Sequence, residues 1–85
     1  MDFEFYRNFI TVAETGNLTT ASKKLALAQP ALSAQIKTLE HYYGAKLIQT
    51  ARGKRQLTLT EAGEAFLGKA RQICRTEETI LLDMQ

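Results

Sequence analysis

At 85 residues, 45% apolar and 24% charged, the chain has the size of one domain and too much apolar content for a disordered one. It holds no run of about 18 apolar residues to cross a membrane, and its start, "MDFEFYRNF", is acidic and aromatic rather than signal-like. A single Cys and a single His exclude an internal disulfide, leave too few ligands for a zinc site, and suit a reducing cytoplasm.

The net charge of +2 decides little, but its distribution is uneven. Acids and bases balance over residues 1–45. Residues 46–60 carry Lys46, Arg52, Lys54 and Arg55 with no acid, and residues 61–85 carry five acids against three bases. The positive field is therefore local to the middle of the chain.

Residues 3–14 read as a helix, with Phe5, Phe9 and Val12 on one apolar stripe and Phe3, Tyr6 and Ile10 widening it. Gly16-Asn17 supplies a stop, because both tolerate the left-handed backbone of a helix end. A second helix is expected over 18–27, starting near Asn17 or Thr19 as N-cap and burying Ala21 and Leu25. Its small Ala21 and Ser22 let another helix cross closely.

The third helix is expected at or near Pro30, where a missing N–H costs nothing. The proline also disfavours helical geometry at Gln29, which would break the preceding helix there. Two short helices joined by a tight corner form a helix-turn-helix. On a helical wheel Leu32, Ile36, Leu39 and Tyr43 fall together and should be buried. The opposite arc holds Pro30, Ala34, Lys37 and His41, flanked by Ser33 and Thr38. It has no acid at its centre and only short side chains at its N-terminal end. Gly44 ends the helix.

Residues 46–59, "KLIQTARGKRQLTL", read as two short strands joined by a basic, glycine-containing turn. Residues 60–85 read as one long helix with Thr60, or Thr58 in a capping box, at its start. Gly63 and Gly68 either weaken that helix or permit close packing. Phe66, Ala70, Ile73, Glu77, Ile80 and Met84 form a heptad seam with one polar member. Phe66, Ile73, Ile80 and Met84 are its candidate dimer-interface residues, although Phe66, like Ala70, is also expected to pack inward on helix 1. The chain closes within an apolar pattern, "TILLDMQ", without a stop signal, and reads as a piece of something longer. The division expected is a winged unit over 1–59 and a linker helix over 60–85.

A helix with a bare, neutral or basic N-terminal surface behind a tight corner is shaped for the DNA major groove, which admits one helix. Gln29 can pair with adenine through two hydrogen bonds, and Ser33 can donate or accept. Pro30, Ala31 and Ala34 offer apolar contact to a thymine methyl. Lys37 and Thr38 are placed for phosphate, which fixes register. Arg52, Lys54 and Arg55 are the second contact, to phosphates or a narrow minor groove. Paired carboxylates, a nucleophile with its base and a phosphate-cradling glycine loop are all missing, so an enzyme is not expected. The competing reading is a winged-helix module that assembles proteins through residues 60–85 and ignores DNA, but such a module has no need of bases gathered at the wing.

"MDFEFYRNFITVAETGNLTTASKKLALAQPALSAQIKTLEHYYGAKLI" followed by "LTLTEAG" resembles the N-terminal winged helix-turn-helix of LysR-type transcriptional regulators. The most specific pieces are Phe9, Ala21, Leu25, Gln29-Pro30, Ser33, Ile36, Leu39-Glu40, Gly44 and Leu59-Thr60-Glu61-Ala62-Gly63. The resemblance implies a mainly α fold: a three-helix core, a two-stranded β wing and a long C-terminal linker helix. It implies a homodimer on double-stranded DNA, paired through residues 60–85. Recognition helices of about 30–43 enter successive major grooves of an interrupted palindrome, with wings of about 50–57 at the flanking minor grooves. It carries base contact to Gln29, Pro30 and Ser33 and wing contact to the Arg52–Arg55 region. It implies no cofactor in this domain, and a small-molecule effector acting only through a C-terminal domain this chain lacks. Thr50 stands where the family usually has an arginine, Ala34 stands where it often has one, and the wing is about two residues longer than usual.

Overall fold

The computed structural model describes residues 2–50 and 56–85. In chain order they form α1 (Glu4–Thr15), α2 (Leu18–Leu25), α3 (Gln29–Tyr43), β1 (Ile48–Thr50), β2 (Leu57–Leu59) and α4 (Glu61–Asp83). This is the expected architecture: three helices, a two-stranded antiparallel wing and a long C-terminal helix.

The caps act largely where the residue types place them. Gly16 takes the left-handed conformation, φ 65°, and its N–H donates to the Val12 carbonyl. The Asn17 side chain accepts from the Thr20 N–H at 3.0 Å and starts α2. Gly44, φ 68°, closes α3 with bonds from Gly44 N to His41 O and from Ala45 N to Glu40 O, a Schellman motif. Thr60, not Thr58, is the N-cap of α4, accepting from Gly63 N at 2.9 Å.

The corner between α2 and α3 departs from the sequence reading. Helix α2 stops at Leu25, and Ala26 adopts φ 54°. Leu27 N donates to Ser22 O at 2.9 Å and Ala26 N to Lys23 O at 3.2 Å. The chain thus turns on an alanine, at a cost of about 1–2 kcal/mol for its Cβ in left-handed backbone. Pro30 does not break α2. It is the second residue of α3, and Gln29 is the first, helical despite preceding a proline.

Phe9, Val12, Ala21, Leu32 and Leu39 are fully buried, with Ile36 and Leu47 nearly so. Each of the larger side chains contributes about 1.5–3 kcal/mol of burial. Tyr43 leaves the buried arc: it is 44% exposed, and Tyr42 is 69% exposed. The wheel gives the direction of Tyr43, but Tyr6 and Phe66, which it meets there, are themselves only half-buried. The Tyr43 hydroxyl instead hydrogen-bonds the Tyr6 hydroxyl, which pushes its pKa up to about 12.

Helix α4 lies along α1. The Phe66 ring meets Phe9 edge-on at 4.9 Å, Tyr43 at 5.2 Å and Tyr6 at 5.9 Å. Phe66, a candidate for the dimer seam, therefore spends its ring on its own chain. Ala70 and Cys74 are buried beside it. Glu77, the polar member of the seam, pairs with Arg7, whose guanidinium also faces Glu4 at 3.4 Å and covers the Phe3 ring. Arg71 reaches Glu14 at 3.4 Å. The first part of α4 is thus one body with α1–α3, and the helix end projects beyond it along a long axis of 48 Å.

A hairpin of two three-residue strands is marginal alone. It is tied at both ends here. Leu57 N donates to Gly16 O at 2.9 Å and Thr60 N to Leu47 O at 3.0 Å. The Glu40 carboxylate accepts from Leu47 N at 2.8 Å and Ile48 N at 3.3 Å. Ile48 pairs with Leu59 and Thr50 with Leu57.

Candidate nucleic-acid interface

With Leu32, Ile36 and Leu39 turned into the core, α3 must present its other side. Gln29, Pro30, Ala31, Ala34, Lys37, Thr38 and His41 are exposed, and Ser33 is half-buried. The structure leaves the seven expected positions of this helix between 29 and 38 on its outer side, away from the inward residues. The side chains are short over the first turns, so the backbone itself can approach a partner closely. No side chain caps the start of α3, where Ala28 is the N-cap, so the positive end of its dipole has no side-chain acceptor at the helix start.

Electrostatics follow from one half-buried engagement. Glu40 is the single acid of α3, and its carboxylate is turned back onto the amides of Leu47 and Ile48. That carboxylate is engaged by amides rather than by Lys37. Lys46 extends this positive side. Lys37 and Lys46 line the same cleft of about 210 Å³ between α3 and β1, together with Ser33, Glu40, Gln49 and Thr50.

Two polar side chains are already engaged. Thr38 Oγ1 donates to Ala34 O at 3.0 Å. Gln29 Oε1 accepts from Thr19 Oγ1 at 3.0 Å, across the corner from α2. Behind the surface, buried Asn8 donates to Gln35 Oε1 at 2.7 Å and pins α3 to α1. Sequence reasoning did not foresee the bond from Thr19 to Gln29 or the place of Lys46 beside Lys37, and gave Glu40 no role. The basic residues 46–60 pointed to Lys46, whereas the partner of Glu40 is a pair of backbone amides that no side-chain pattern announces. Arg52, Lys54 and Arg55 lie outside the described residues.

Of the remaining seam positions, Ile73, Ile80 and Met84 are 37%, 52% and 78% exposed. Ile73 and Ile80 line a groove of about 560 Å³ with Phe3, Gln72 and Thr76. Among the described residues no group of His, Cys, Asp and Glu is placed to hold a metal ion, and no helix is long and apolar enough to cross a membrane.

Residues 3–64 match the family described as "Bacterial regulatory helix-turn-helix protein, lysR family". The chain belongs to the LysR family. It is 41% identical over 85 residues to the HTH-type transcriptional regulator BsdA of Bacillus subtilis (strain 168), covering 100% of this chain and 29% of that one. Among solved structures, it matches the BenM_DBD/benA site 1 DNA complex with a TM-score of 0.89 and 32% identity, covering 99% of this chain and 95% of that one. The CbnR_DBD–DNA complex matches with a TM-score of 0.84 and 35% identity over 100% of both chains. This LysR-family chain spans less than a third of the length of the curated relatives it matches. Those relatives are transcriptional regulators, not enzymes, by name.

Proposed function

We propose that this LysR-family chain is the part of a bacterial transcriptional regulator that reads double-stranded DNA by sequence. The observation carrying this reading is the outer surface of α3, residues 29–38: exposed, free of acids and low in relief at its N-terminal end. A helix with those properties seats in a major groove, where Gln29 and Ser33 reach base edges and Pro30, Ala31 and Ala34 meet thymine methyls. Lys37 and Thr38, with Lys46 beside them, meet phosphate and set the register. Arg52, Lys54 and Arg55 act at the flanking minor groove.

Two chains pair through α4, using Ile73, Ile80 and Met84, and place two α3 helices on the half-sites of an interrupted palindrome. In this reading residues 1–59 form the reading unit and 60–85 the helix that joins two of them. No cofactor takes part in this domain. A small-molecule effector acts through the portion of a full-length regulator that this chain does not span, and the site of action is cytoplasmic. The similar BenM and CbnR structures, solved as DNA complexes, support the reading.

The test is binding to duplex DNA followed by fluorescence anisotropy at rising salt. The expected result is a linear fall of log affinity against log salt, from counterion release. Absent binding, or a salt-insensitive complex formed only with another protein through residues 60–85, would overturn it.

A further inference from the structure

The hydrogen bond from Thr19 Oγ1 to Gln29 Oε1, 3.0 Å long, joins α2 to the first residue of the recognition helix. We infer that Thr19 is a positioning residue for base reading: it fixes the Gln29 amide so that Nε2 is presented to the groove as a donor. The inference rests on the base-contact role given to Gln29 above.

A glutamine side chain has three rotatable bonds, and its amide can present either an acceptor or a donor to a base. A free Gln29 at an exposed helix start would sample both. With Oε1 held against Thr19, one of its two lone pairs is engaged; the flipped amide would keep Thr19 as a partner only by donating Nε2–H to Oγ1, which needs the hydroxyl hydrogen turned away from it. Both N–H groups of Nε2 remain unused by the Thr19 bond. The base edge best served is one that offers an acceptor: N7 of a purine, O6 of guanine or O4 of thymine. The N4 amino group of cytosine, a donor, is the edge most disfavoured. An adenine pairing that uses the second lone pair of Oε1 is still compatible with this arrangement, so the effect is a bias toward edges that offer an acceptor and against cytosine rather than a single-base code.

In the free protein the bond is solvent-exposed and contributes little, because water competes for both partners. Seating α3 against a duplex removes that water. An amide that loses its oxygen partner there carries an unsatisfied acceptor, and the preference for the correct orientation rises. Thr19 suits this role because it is half-buried and lies in α2, whose Asn17 cap and Ser22–Thr19 bond fix the backbone behind it. Its own side chain is β-branched and stiff at χ1.

The test compares selected-fragment base preferences of the wild-type chain with Thr19→Val, Thr19→Ser, Gln29→Ala and the double variant Thr19→Val/Gln29→Ala. Valine keeps the shape of threonine and removes the hydroxyl, and serine keeps the hydroxyl. Thr19→Val should reduce the preference at the base position that Gln29→Ala flattens by about threefold to tenfold, the range of one hydrogen bond. Thr19→Ser should restore it, and the double variant should match Gln29→Ala alone. Affinity for random DNA and the thermal midpoint should not change with Thr19→Val. A full preference profile in Thr19→Val, beside a flattened one in Gln29→Ala, overturns the inference and leaves the base-contact role standing. An unchanged profile in Gln29→Ala overturns both. Equal loss on all sequences in Thr19→Val makes Thr19 a phosphate contact and also overturns it.

Discussion

The carbonyl oxygen of Leu47 occupies the place where a side chain on Gly63 would begin: a Cβ there would lie 2.0 Å from it. The same carbonyl accepts from Thr60 N. The entry to the wing and the first turn of α4 are thus in backbone contact, and only glycine lets them meet.

Gly63→Ala should therefore destabilise the chain by about 1–3 kcal/mol, the usual cost of overpacking. For a domain of this size that is roughly 4–8 °C of melting temperature per kcal/mol. Gly68, with no atom within 4 Å of its would-be Cβ, is the control: Gly68→Ala should stabilise by up to about 1 kcal/mol through helix propensity. Thermal melts by circular dichroism separate the two. A Gly63→Ala melt at or above wild type would mean that α4 does not sit this close to Leu47.

Cys74 is buried between α4 and α1, and burial pushes its thiol pKa up, with Arg7 opposing and Glu78, Glu77 and Glu4 reinforcing. A raised pKa means less thiolate at any given pH. Alkylation by iodoacetamide near pH 8.5, about the ordinary pKa of a free thiol, should be much slower than for an unfolded control. It should reach the control rate in denaturant. Rapid labelling of the folded chain would contradict this packing.

Ile80 is half exposed, so Ile80→Asp should leave the folded chain within about 0.5 kcal/mol of wild type. It places a charge in the proposed seam and should yield a monomer by sedimentation. An unchanged dimer would move the pairing surface away from Ile73, Ile80 and Met84.

The wing residues should act on affinity rather than on sequence preference. Lys54→Ala or Arg55→Ala should weaken binding to all duplexes alike and reduce the salt slope by about one. A changed base preference at the centre of the half-site would contradict a phosphate role.

Much of this fold was legible because its signals are local. Gly16 and Gly44 stop helices wherever they fall after an apolar pattern, and Leu32, Ile36 and Leu39 point one way on any wheel. The outer surface of α3 follows from that same geometry. What stayed hidden depends on contacts between distant segments. Ala26 carries the turn that Pro30 was expected to make, because an alanine gives no sign of left-handed backbone. Glu40 reads as a surface acid until β1 brings two amides to it. Tyr43 lies on the buried arc but beyond the end of the core. Which of Gly63 and Gly68 permits close packing, and the reach of Thr19 to Gln29, are decided only once the chain has closed on itself.

The most direct measurement is a heteronuclear NMR titration of the chain with a duplex selected from a random pool. Amide shifts concentrated on residues 29–38, with Lys46 and Gln49 beside them, are the predicted result. Shifts confined to the last turns of α4, with the outer surface of α3 unperturbed, would contradict the account.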